Sequence, residues 1–114
     1  MSHTNQIIRD HNDRFRRGDP AIPGQVVMTS ALGAHAASSG LETADIVRQV
    51  QSFEAFTQDN DPYQQHDFGS FNVADETCFW KVDLYDPSLT AGTEDPVDLQ
   101  KTFRVLTIML ASDY

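Results

Sequence analysis

The chain has a single cysteine, Cys78, and only 8 lysines and arginines in 114 residues. One thiol excludes an internal disulfide framework and any paired-thiol zinc or redox motif. Against 17 aspartates and glutamates, the scarcity of cations leaves a formal charge of −9. That sign repels phosphate backbones and excludes an ordinary nucleic-acid binder. No apolar run approaches the ~18 residues of a membrane span, and the opening MSHTNQIIRDH lacks a signal peptide's basic and then apolar order. A cytoplasmic protein with no membrane contact and no cofactor is expected. G-x-S-x-G, glycine-rich phosphate loops, H-E-x-x-H and C-x-x-C are also missing, so the large enzyme classes they mark lose their support, and a binding protein is favoured over an enzyme. What the chain does have is 39% apolar residues in a length suited to one core, and residues 1–114 read as one domain.

The charge is unevenly distributed. Arg9, Arg14, Arg16 and Arg17 supply half of the cations and sit beside only Asp10 and Asp13, whereas the acids from Glu54 to Asp98 meet a single cation, Lys81. Ile7, Ile8, His11 and Phe15 recur at three- and four-residue spacing, which predicts a first helix from about Thr4 to Gly18. On its other side Asp10 precedes Arg14 and Asp13 precedes Arg17 by four residues, the favourable orientation for ion pairs on a solvated face.

QVVMTS (Gln25 to Ser30) reads as a short, mostly buried strand, and the small residues Ala31 to Ser38 as a loop. Ser39 and Glu42 have capping-box spacing, and the stripe Ile46, Val47, Val50, Phe53, Phe56 predicts a second helix whose apolar face is core. Phe68 to Val73 and Thr77 to Tyr85, separated by Ala74 to Glu76, read as a hairpin. Alternation places Cys78, Trp80, Val82 and Leu84 on the core face and Phe79, Lys81, Asp83 and Tyr85 on the other. Thr102 to Ala111 is apolar on both faces except for Arg104 and the threonines. Such a strand is either covered on both sides or meets a partner. The connection Asp86 to Lys101 is long, which suggests either a short helical turn near Pro96 to Gln100 or a functional surface. The expected fold is α+β: one two-layer domain, a mostly antiparallel sheet of about four strands with two helices on at least one face.

The most concentrated chemistry lies in Asp59-Asn60-Asp61-Pro62-Tyr63-Gln64-Gln65-His66-Asp67, where carboxylates, an imidazole and a phenol could bind a cation or move protons. As a calcium loop it fails, since Gln64 stands at the glycine position and Ser70 at the bidentate glutamate position. The dipeptides Asp19-Pro20, Asp61-Pro62, Asp86-Pro87 and Asp95-Pro96 mark several acids as turn builders, and a turn-building role for the segment is favoured over a site. A Cys78–His66 nucleophile pair is disfavoured because Cys78 falls on the apolar face. The rings of Phe68, Phe71, Phe79, Trp80 and Tyr85 could form a base-stacking platform, but their acidic surroundings favour core packing.

The phrases IRDHNDRFRR (Ile8 to Arg17), GQVVMT (Gly24 to Thr29), FTQDNDPYQQHDFGSF (Phe56 to Phe71), FWKVDLYD (Phe79 to Asp86) and RVLTIMLASDY (Arg104 to Tyr114) resemble the domain-of-unknown-function family 3768. The resemblance implies a small bacterial, cytoplasmic protein of a kind often carried on mobile elements. It implies no mechanism.

Three functional readings follow. The first is a non-enzymatic binder of a basic partner protein through Asp59, Asp61, Asp67, Asp86, Glu94, Asp95 and Asp98, in its most concrete form a nucleic-acid mimic that occupies the groove of a host defence or DNA-processing protein. The second is a metal-assisted hydrolase with Asp59, Asp61, His66 and Asp67 around a cation and Tyr63 as donor. The third is a homo-oligomer built on the second apolar face of the C-terminal strand.

Overall fold

A computed structural model describes residues 2–114. Among these residues, helix α1 (His3–Arg16) leads into strand β1 (Gly24–Met28), helices α2 (Ser30–Ser38) and α3 (Thr43–Gln51), and strands β2 (Phe68–Val73), β3 (Glu76–Tyr85) and β4 (Phe103–Leu110). A short 3-10 turn, Ala111–Asp113, follows. The sheet order is β1-β4-β3-β2, with β1 parallel to β4 and the other pairs antiparallel. The result is an α+β domain with three helices where two were expected.

The additional helix is α2, in the stretch read from sequence as a loop. Thr29 caps it by accepting from the Leu32 N–H, and its alanines favour helix without producing an amphipathic stripe. It ends in a Schellman motif: the Leu41 N–H donates to the Ala36 carbonyl and the Gly40 N–H to that of Ala37, with Gly40 at φ +74°. Ser39 therefore closes α2 and does not open the next helix. For α3 the capping residues are Glu42 and Asp45, whose carboxylate accepts from the Glu42 N–H. α3 stops at Gln51, so Phe53 and Phe56 reach the core from the loop beyond it.

The core joins Phe15, Leu32, Ala36, Ile46 and Val50 of the helices to Val73, Cys78, Trp80, Val82, Leu106 and Ile108 of the sheet. All three helices thus cover one face. The β2–β3 hairpin turns on Ala74 and Asp75 at φ +45° and +69°, the left-handed pair of a two-residue turn whose twist suits the strands; Glu76 already belongs to β3. The alternation expected of β3 is observed, with Cys78 and Trp80 fully buried. Residues 96–100 form turns and no helix.

Two readings of the first quarter are corrected. Neither four-residue ion pair of α1 forms: Arg14 pairs with Asp19 at 2.9 Å, Arg17 with Glu54 at 3.8 Å and Asp13 with Arg16 at 3.1 Å. Arg16 and Asn12 are buried beside Ile8 and Phe15, so the inward face is partly polar. β1, read as mostly buried, is the edge strand, and Gln25, Val26 and Val27 are exposed. Among the described residues no helix is long and apolar enough to cross a membrane.

Candidate functional site

The loop between α3 and β2 builds a polar pocket against α1. Asn60 starts it: its side-chain oxygen accepts from the Thr57 N–H and its amide donates to the Ala55 carbonyl. Asp61 is buried, and its Oδ1 accepts from the N–H groups of Gln65 and His66 at 3.0 Å each. This fixes a turn in which Gln64 and His66 take φ +56° and +54°. For side chains other than glycine that region costs about 1–3 kcal/mol, so the surroundings must enforce it.

At His66 the enforcing contacts are visible. Its ring lies parallel to Phe56 with centroids 3.7 Å apart, its Nδ1 donates to Asp13 at 2.9 Å, and its Nε2 lies 3.6 Å from Asp61 Oδ2. Asp13 in turn accepts from Arg16. Arg16 also donates to the carbonyls of Val50 and Gln51 at 2.8 and 3.1 Å, at the C-terminal end of α3 where the helix dipole is negative. Its guanidinium sits 5.5 Å from the Phe56 ring and 5.1 Å from that of Trp80, within cation–π range. Burial lowers its pKa, which the hydrogen bond to Asp13 opposes.

The resulting pocket has a volume of about 280 Å³ and is lined by Arg9, Phe56, Gln58, Asp61, Gln64 and His66, with Thr57 alone contributing a hydroxyl. Thr57 Oγ1 already accepts from the Asn60 N–H. An imidazole oriented by one carboxylate and faced by a second can hold or relay a proton, but the pocket wall supplies no activated nucleophile. Sequence reading isolated Asp61 and His66 and missed Asp13, which the α1 pairing pattern placed in an ion pair with Arg17 on a solvated face, and Arg16, for which it offered no inward role.

The other candidate residues are scattered. Asp59, Tyr63 and Glu94 are exposed, whereas Asp67, Asp86, Asp95 and Asp98 are half-buried. Asp86 accepts from Ser88 Oγ at 2.7 Å and from Thr90, which lowers its pKa; Asp98 caps the Gln100 N–H. Both are turn builders. Burial raises the pKa of Asp67, with the nearby charges of Asp61 and Asp83 adding to the effect. Among the described residues no three His, Cys, Asp or Glu side chains are arranged to hold a metal, so Asp59, Asp61, His66 and Asp67 do not converge on one point. Cys78 is buried, its Sγ near the Glu76 carbonyl, and burial raises its pKa.

The second feature is the sheet face away from the helices. Cross-strand rows there read Gln25–Val105–Asp83, Val27–Thr107–Lys81–Phe68 and Met109–Phe79–Ser70, with Phe103 beside Tyr85. The aromatic residues considered as a stacking platform therefore divide: Trp80 belongs to the core and Phe71 packs against it, while on this opposite face Phe68 and Phe79 tilt against each other and both meet Tyr114 edge-on. Between Tyr85, Val105, Met109, Asp113 and Tyr114 runs a groove of about 420 Å³. Lys81 lies in it and pairs with Asp83 at 2.9 Å, a bond that raises its pKa.

These features define a small α+β domain with helices on one face of a mixed sheet, a polar pocket at the helix side and an open groove on the other. The chain belongs to the family described as "Protein of unknown function (DUF3768)", whose family model matches residues 28–113. α1 and all of β1 but Met28 precede the matched stretch. No curated protein matches the chain, and no solved structure does.

Proposed function

We propose that this is a non-catalytic binding domain that engages a basic partner protein through the helix-free face of its sheet. The observation that carries the reading is the groove along β3 and β4. β4 is central and apolar on both sides, yet among the described residues no α-helix covers its Val105–Thr107–Met109 side, where Met109 is buried and Asp83 and Asp113 stand at the groove's rim with Tyr85 and Tyr114. An arginine side chain of a partner suits this lining: its stem packs on the half-buried Val105 and its guanidinium meets a tyrosine face, with Asp83 and Asp113, each already hydrogen-bonded within the chain, adding negative field. Lys81, the cation in the groove, is already paired. The overall charge of −9 would speed encounter with such a partner.

Nucleic-acid mimicry is the narrower form of this proposal and rests on charge. Asp61, Asp86 and Asp98 serve turns, so the anchor is assigned to the groove and the exposed acids Asp59 and Glu94 to long-range attraction. The test is an amide-shift titration with an oligo-arginine peptide. Shifts concentrated in β3, β4 and residues 113–114, weakened by salt and by Tyr85→Ala, are expected. Absence of binding, or shifts confined to residues 54–61, would overturn the assignment.

A further inference from the structure

The edge of β1 is chemically unfinished. Two bonds flank the strand: the Arg104 N–H donates to the Pro23 carbonyl at 3.1 Å and the Thr29 N–H to the Ile108 carbonyl at 3.0 Å. In a parallel ladder bonded residues alternate, so Gln25 and Val27 face β4, while the N–H and C=O groups of Gly24, Val26 and Met28 point away from the sheet. β1 is the terminal strand, and no backbone bond outside the ladder involves these groups among the described residues.

Edge strands are ordinarily protected by lysines, prolines, inward charges or bulges. Gly24 to Met28 contains no charge and no proline, and Val26 and Val27 are 48% and 38% exposed. The neighbourhood is equally bare: from Pro20 to Leu41 there is no Asp, Glu, Lys or Arg, in a chain that is 22% charged. A basic partner has nothing to grip here. A second copy of a chain carrying −9 meets its least repulsion here.

We infer that β1 pairs antiparallel with β1 of a second copy about a twofold axis at Val26. Val26 then exchanges both backbone bonds with its symmetry mate, and Gly24 lies opposite Met28, the smallest side chain against a long one. The two four-stranded sheets become one continuous sheet. The inference is independent of the groove on the helix-free face, since a Tyr85 variant leaves β1 intact.

Sedimentation velocity across a wide concentration range provides the test. The wild-type chain is expected to have the mass of two chains, and Val26→Lys and Val26→Pro the mass of one with unchanged circular dichroism. The proline is informative because the Val26 N–H makes no bond among the described residues, so only the outer ladder loses a donor. A wild-type monomer at all concentrations overturns the inference, as does a dimer that survives both substitutions. Hydrogen exchange on the wild type needs no variant: protection of the Val26 and Met28 amides must rise with protein concentration, and concentration-independent exchange there overturns the proposal.

Discussion

Asp13 and His66 are joined by a hydrogen bond of 2.9 Å that ties α1 to the loop before β2. The same carboxylate holds the buried Arg16 at 3.1 Å, so its two roles differ in weight. Asp13→Ala leaves a buried guanidinium short of its counter-charge and is expected to cost about 3–5 kcal/mol. His66→Ala loses one hydrogen-bond partner and a stacked ring, about 1–3 kcal/mol, while the left-handed backbone at position 66 stays strained, since alanine also carries a Cβ. Urea unfolding of both variants checks the order, which reverses if Asp13 serves mainly to place the imidazole.

Gly69 permits the closest approach in the core. A Cβ there would collide with Trp80 Nε1 and lie 2.7 Å from Phe53 Cζ. Gly69→Ala must therefore displace Trp80, and a cost of about 1–3 kcal/mol is expected, with a changed tryptophan emission as the local readout. Gly33→Ala, where a Cβ meets nothing within 4 Å, serves as the control and is expected to be neutral or stabilising.

Two buried arginines should respond differently to removal. Arg16 has three protein acceptors, whereas Arg104 donates through Nε to Asn12 at 2.7 Å and, among the described residues, has no hydrogen-bond partner for Nη1 or Nη2. Arg16→Met is expected to cost about 3–5 kcal/mol and Arg104→Met under about 1 kcal/mol. Burial lowers the Arg104 pKa to about 10. The folded chain therefore releases this proton before the unfolded chain does, so the Arg104 contribution to stability is complete only above the unfolded chain's arginine pKa and is lost as pH falls through about 10. Relative to Arg104→Met, the wild type should gain stability as pH rises through that window.

Asp67 gives the opposite sign. Burial raises its folded pKa above 3.8, so its favourable contribution is fully present below 3.8 and lost as pH rises through the folded value. Asp67→Asn keeps a neutral side chain at every pH. Its melting temperature should match the wild type in acid and exceed it at neutral pH; equal melting temperatures throughout would mean that Asp67 is hydrated.

The parts of the fold that were legible in the sequence are those with strong periodicity. β3 was sorted correctly because strict alternation of Cys78, Trp80 and Val82 against Lys81 and Asp83 leaves one face for the core. α2 was missed because a run of alanines and serines has helix propensity without a stripe. In the candidate site, Asp61 and His66 were noticed from their density in one segment, and the turn-building role favoured for that segment agrees with Asp61 accepting from Gln65 and His66. Asp13 was assigned to an exposed helix face and the inward role of Arg16 was missed, since a four-residue charge pattern carries no information about a loop that folds back from fifty residues away.

The order of residues alone settled the net charge of −9, the single thiol, the hairpin and the two-sided apolar character of β4, because these depend on composition and on neighbours within a few positions. Only the folded chain decided that β1 runs parallel to β4 at the sheet's edge, that one face of β4 lacks a helix, and that Asp13 meets His66. Each of these depends on which segments pack together across long stretches of chain, and local spacing does not encode that choice.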